Sequence, residues 1–214
     1  MRHFISPSFT HEKLEVPLYK DLVDVFEDRM LYWVIGPAKK LLKLKHGEVA
    51  AVALATNYIE GIEIYISGKD SKGKSRAFFK RSFRRIFRPV PGEPFMLDAV
   101  ADALYDSLRC GFAHEGLFRS NIYFSSSRKE ALTITWPKKG GRFDPNGKLE
   151  SAVINPARFV GGVEHHFTEY VKELRSRKET SAKGPFLAAV GMKCGLSKPG
   201  DLIAMTEEEF ESGT

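Results

Sequence analysis

Apolar side chains recur every three or four positions over much of this chain, and that periodicity predicts helices. Leu18, Leu22, Val25, Phe26 and Met30 share one face of a segment from about Leu18 to Ile35, with Pro37 expected to end it. From Glu48 the same spacing runs through Val49, Val52, Ala53, Thr56, Ile59 and Glu63, yet Ile62, Ile64 and Ile66 alternate like a strand, so the end of this element reads either way. Ser75 is the expected N-cap of a basic helix whose Phe79, Phe83, Ile86 and Phe87 point inward, closed by Pro89 and Pro91. Pro94 suits the first position of the next helix, which carries the stripe Leu97, Val100, Ala101, Leu104 and Leu108. Asp98, Asp102 and Asp106 recur every fourth residue on another face of it, which is expected to meet solvent.

The pattern changes after Asn121. Ile122–Phe124 and Leu132–Trp136 are short β-favouring runs expected to pair as a hairpin, and Ser151–Ile154 could add a third strand. Asn155 and Pro156 then start a helix with Phe159, Val163, Phe167, Tyr170, Val171 and Leu174 inward, and a short helix is expected after Pro185. The elements predict a mainly α fold, a helical bundle with a small antiparallel β-hairpin or three-stranded sheet. A polar arm (1–16), a single helical domain (17–195) with a β insertion around 121–154, and an acidic C-terminal tail (196–214) with Glu207, Glu208, Glu209 and Glu211 complete the expected organisation.

Composition adds compartment and partner class. Hydrophobic residues at 43% and charged residues at 28% match an ordinary globular domain. Cys110 and Cys194 form no disulfide framework, no signal-type apolar run opens the chain, and Val49–Ala55 falls well short of the roughly 20 apolar residues of a membrane span. A cytoplasmic protein without a membrane partner is expected. The net charge of +6 is unevenly placed: between Lys69 and Arg88 nine basic side chains face Asp70 alone. Such a focused positive field points to a polyanion, with Lys72, Lys74, Arg76, Lys80, Arg81, Arg84, Arg85 and Arg88 as the candidate RNA-binding residues.

Two patterns suggest other chemistry. Gly68–Ser75 matches the Walker A spacing G-x4-G-K-S, in which backbone amides and Lys74 would cradle phosphates. That reading, a P-loop nucleotide-binding protein, needs a buried strand before the loop and βα alternation after it, and Phe95-Met96-Leu97-Asp98 would have to serve as a Walker B strand. His165 and His166 lie beside Glu164 and Glu169, but adjacent helical residues point about 100° apart and no HExxH is present, so no metal is expected.

The segment Leu104-Tyr105-Asp106-Ser107-Leu108-Arg109-Cys110-Gly111-Phe112-Ala113-His114-Glu115-Gly116 places an arginine and a histidine five positions apart at the end of a helix. Histidine exchanges protons near neutrality, and the arginine fork matches phosphate oxygens, so the pair suits metal-free RNA cleavage. Gly116 is a suitable helix C-cap, which would put His114 in the last turn, where the helix dipole favours imidazolium. A second Arg-to-His spacing, Arg158 to His165, also occurs.

The thirteen residues around Arg109 resemble the Arg-x4-6-His element of the HEPN superfamily (higher eukaryotes and prokaryotes nucleotide-binding), and the surrounding helices, over roughly 45 to 175, resemble its bundle. The resemblance implies a homodimer that joins two such motifs and acts as a metal-independent endoribonuclease with no cofactor. Arg109 would stabilise charge on the phosphorane, and His114 would act as acid or base on the 2′-hydroxyl or the leaving oxygen. Asn57 and Glu60 of the preceding helix are candidate polar contributors. An antitoxin or a small nucleotidyltransferase is the partner class to be expected. Many nuclease members place a polar residue directly after the arginine where this chain has Cys110, and a non-catalytic HEPN-like binding or assembly module is the alternative.

Overall fold

The computed structural model describes residues 4–87, 94–112 and 121–193. Strands β1 (Phe4–Ser6) and β2 (Phe9–Thr10) and a 3-10 turn at His11–Leu14 lead into helix α1 (Tyr19–Arg29). The N-terminal arm does not hang free. Ser8 donates from both its backbone N–H and its hydroxyl to the Asp28 carboxylate at 2.8 Å each, and Arg29 Nε donates to the Ile5 carbonyl at 2.5 Å.

Pro37 does not stop the first helix. Backbone turns of π type at Met30–Ile35 carry the chain into α2 (Gly36–Leu41), with the Gly36 N–H donating to the Leu31 carbonyl five residues back. Pro37 thereby falls in the first turn of a new helix, where its missing N–H costs nothing.

Helix α3 (Glu48–Ser67) resolves the helix-or-strand choice at Ile62–Ile66 in favour of helix. It is apolar nearly all round because it is surrounded, packing against α2, α4 (Ser75–Ile86), α6 (Pro156–Leu174) and α7 (Lys183–Lys193). Among the described residues it is also the one helix long and apolar enough to cross a membrane, and more than half of it is buried in the fold. It ends at Gly68 in the left-handed region (φ 65°), where a Cβ would lie 2.9 Å from the Pro185 Cα. Two aromatic groups fill the bundle: Phe26 against Tyr65, Phe167, Tyr170 and Phe186, and the series Phe79, Phe83, Phe87 and Phe159. Helix α5 (Pro94–Leu104) runs on into a second π-helical segment, Tyr105–Phe112.

The fold is mainly helical, with small sheets attached. The expected hairpin is replaced by a mixed sheet in which β3 (Ile122–Phe124) and β4 (Leu132–Thr135) do not pair with each other. Both flank β7 (Ser151–Ile154), β3 in parallel (Ile122 opposite Ala152) and β4 antiparallel (Leu132 opposite Ile154). The physical reason sits in Asn155. Its Oδ1 caps α6 by accepting from the Arg158 N–H, and its Nδ2 donates to the carbonyls of Ser126 and Arg128, which holds the β3–β4 connection open. A small hairpin of β5 (Lys138–Lys139) and β6 (Arg142–Phe143) turns on Gly140 and Gly141, both at positive φ.

Candidate functional site

Helices α4 and α5 lie antiparallel, and each repeats a charge every fourth residue on the face it shows the other. Arg76 forks onto Asp106 and reaches Asp102 at 3.4 Å; Lys80 Nζ donates to Asp102 at 2.6 Å; Arg84 Nε donates to Asp98 at 2.5 Å. The aspartates therefore face the basic helix and not open solvent. Opposite charges in matched i, i+4 rows make that the lower-energy arrangement. The hydrogen bond to Asp106 is the largest of the influences that raise the Arg76 pKa above its ordinary value.

On the next face of α4, Arg81 Nε (2.7 Å), Arg85 Nε (3.3 Å) and the Ser82 hydroxyl (3.1 Å) all donate to Glu63 of α3, which is only 1% exposed. A carboxylate at that depth needs such partners, because an unpaired buried charge costs several kcal/mol, on the order of 3–5. The field read from the sequence is thus internally compensated along most of α4. Lys72 and Lys74, in the preceding loop, form no ion pair with any described residue, while Asp70 is held by Lys193 at 3.2 Å. Lys74, Arg76 and Lys80 line an open groove of about 660 Å³ with Gly73, Ser75, Ala77 and Tyr105. Arg88 lies outside the described residues.

The Walker-like loop follows helix α3, not a strand, and Asp98 of the supposed Walker B lies in α5 bound to Arg84. Gly68 is explained by the helix C-cap and its close approach to Pro185. The strand–loop–helix context of a P-loop is missing, and nucleotide binding through Gly68–Ser75 has no structural basis.

Tyr105, the first residue of the second π-helical segment, joins the groove to Arg109. The Arg76 guanidinium sits 4.8 Å from its ring centroid and Phe79 meets it edge-on at 5.5 Å. Burial, then the neighbouring Cys110 and Glu60, push its hydroxyl pKa up. Arg109 Nε donates to Glu60 Oε2 of α3 at 2.9 Å, so the expected contribution from Glu60 is made directly to the motif arginine. Arg109 remains 34% exposed, and its terminal nitrogens bond no described residue. π-helical turns interrupt the regular backbone ladder and occur often at functional positions. Cys110 is partly buried and unbridged. His114 lies outside the described residues, so the geometry of the pair is not part of the description. Arg158 and His165, the second spacing match, are both exposed on α6.

One polar centre has no local sequence signal. His166 Nδ1 is paired with the Tyr58 hydroxyl at 2.8 Å, although 108 residues separate them. Burial, reinforced by the nearby Arg85 charge, lowers the His166 pKa to about 4. No protein-family model, curated protein or solved structure matches the chain.

Proposed function

We propose that the chain is an HEPN-like RNA-binding protein that cleaves RNA without metal through Arg109 and His114, two copies of the motif meeting at a homodimer interface. The observation that carries the reading is the Arg109–Glu60 pair: a carboxylate from the central helix fixes the arginine through Nε and leaves the terminal fork free for phosphate oxygens. A guanidinium fixed in this way stabilises charge as it develops on phosphorus and needs no reorganisation during the reaction.

In the proposed reaction one His114 takes the proton of the ribose 2′-hydroxyl, that oxygen attacks the adjacent phosphorus, and the 5′-oxygen leaves with a proton from the second imidazole. RNA reaches the site along the groove of Lys74, Arg76, Lys80 and Tyr105, with Lys72 at its entrance as an uncommitted cation. Arg81, Arg84 and Arg85 serve mainly their carboxylates and contribute to binding through their exposed ends.

The chemistry predicts its products. Cleavage in EDTA should leave 2′,3′-cyclic phosphate and 5′-hydroxyl ends, and a substrate with 2′-deoxyribose at the cut position should survive. Products with 5′-phosphate ends, or cleavage of the deoxy substrate, would overturn the mechanism. The alternative of a non-catalytic module with the same fold rests on Cys110 following Arg109; it predicts RNA retention with no product.

A further inference from the structure

A second cleft, of about 620 Å³, opens between the end of α3, Arg85 of α4, α6 and the segment leading to α7. Its lining is unusual in what it leaves unpaired. Tyr170 Oη and Thr180 Oγ1 are shut off from water and have no hydrogen-bond partner, and Tyr170 as a whole is 6% exposed. Buried hydroxyls in folded proteins are nearly always paired, so two orphans in one wall mark a place where a ligand completes the network.

The remaining groups define its chemistry. Burial holds the Tyr58 phenol in its protonated form, so it donates to His166 Nδ1 and the neutral imidazole carries its hydrogen on Nε2. Arg85 uses Nε for Glu63, and its terminal nitrogens bond no described residue. Arg81 and Arg85 share the single Glu63 carboxylate, which leaves one positive charge uncompensated beside the cleft. Hydrogen-bond donors around net positive charge select an oxyanion. Glu169 and Glu173, one and two turns along α6 from His166, line the rest and offer only acceptors, which suits a ligand whose other end carries hydroxyl or amine donors.

We propose that this cleft binds a nucleoside monophosphate group, its phosphate on Arg85, His166, Tyr170 and Thr180 and its ribose hydroxyls or base amines on Glu169 and Glu173. The group is supplied either by a free nucleotide or by the phosphorylated end of an RNA. The site contains neither Arg109 nor His114, so it stands or falls separately from the cleavage reaction.

Calorimetric titration of the full chain tests it, with adenosine 5′-monophosphate, a 5′-phosphorylated trinucleotide, adenosine and inorganic phosphate as separate probes. The monophosphate or the trinucleotide binds, and the tighter of the two identifies the source; adenosine and inorganic phosphate bind at least about tenfold more weakly. Arg85→Gln and Tyr170→Phe each weaken binding about tenfold or more. Tyr170→Phe melts no lower than the parent, because it removes only an unpartnered hydroxyl, which separates loss of binding from loss of fold. The proposal is overturned by absence of binding of both nucleotides at millimolar concentration, by binding that both substitutions leave unchanged, or by inorganic phosphate binding as tightly as the nucleotides.

Discussion

Arg109 on the second π-helical segment donates from Nε to Glu60 Oε2 on the central helix at 2.9 Å, joining the candidate catalytic arginine to the best-buried element of the fold. That bond is both structural and orienting. A double-mutant cycle with Glu60→Ala and Arg109→Ala, read by chemical denaturation, should give a coupling energy of about 0.5–1.5 kcal/mol, as expected for a partly exposed pair with charge-assisted geometry. Glu60→Gln keeps an acceptor but no charge, and should reduce RNA cleavage more than it reduces RNA binding. Equal losses in both would make Glu60 a general stability residue.

The carboxylates of α5 compete with RNA for the cations of α4. Asp102 holds Lys80 at 2.6 Å and Arg76 at 3.4 Å, so Asp102→Ala releases two positive charges into the groove. Stability should fall by about 1 kcal/mol. RNA affinity, measured by fluorescence anisotropy at low salt, should rise, and the log–log salt slope should steepen by about one to two. An unchanged slope would show that RNA does not use this face.

Gly68 and Gly73 separate the helix-cap reading of the loop from the phosphate-binding one. Both have positive φ, but a Cβ at Gly68 would press on Pro185, whereas Gly73 has open space around it. Gly68→Ala should cost about 1–3 kcal/mol from backbone strain and more from the clash; Gly73→Ala should show the strain alone. Lys74→Ala should weaken RNA binding without creating or abolishing any ATP or GTP binding, which the same anisotropy titration with labelled nucleotide checks.

How much of this was legible beforehand depended on where the partner of each group lies in sequence. The helices follow from local periodicity, as the Leu97–Leu108 stripe shows, and the mainly α fold followed from them. Pro37 misled because its effect depends on whether the preceding turn widens, and that is decided by packing. The β3–β4 hairpin failed because Asn155, some thirty residues downstream of β3, takes the carbonyls a tight turn would have used. The Asp98–Asp102–Asp106 row carried its pairing signal openly, in register with Arg84, Lys80 and Arg76, but surface bias was given more weight than charge complementarity. Tyr58 with His166, and Glu63 with Arg81 and Arg85, had no such signal, since residues 18 to 108 positions apart converge only in the folded state.

Acid should weaken the fold through His166. Its pKa is lowered from 6.5 to about 4, first by burial and then by Arg85 and His165, with Glu63 opposing. The unfolded chain therefore binds a proton between those values that the folded chain refuses, and stability falls as pH drops through that window. The contribution is roughly 1–3 kcal/mol once residual solvent screening is discounted. Denaturant midpoints at pH 7 and pH 5 should differ accordingly, and His166→Asn, which keeps an acceptor for Tyr58 but cannot titrate, should shrink the difference.

The central claim is that Arg109 and His114 together cleave RNA, and single-turnover cleavage of end-labelled RNA in excess EDTA measures it directly. The parent protein should produce discrete fragments, and Arg109→Ala and His114→Ala should each slow the reaction by about 10²-fold or more while retaining RNA binding and native melting behaviour. No cleavage by the parent, or cleavage at the same rate in both variants, would contradict it.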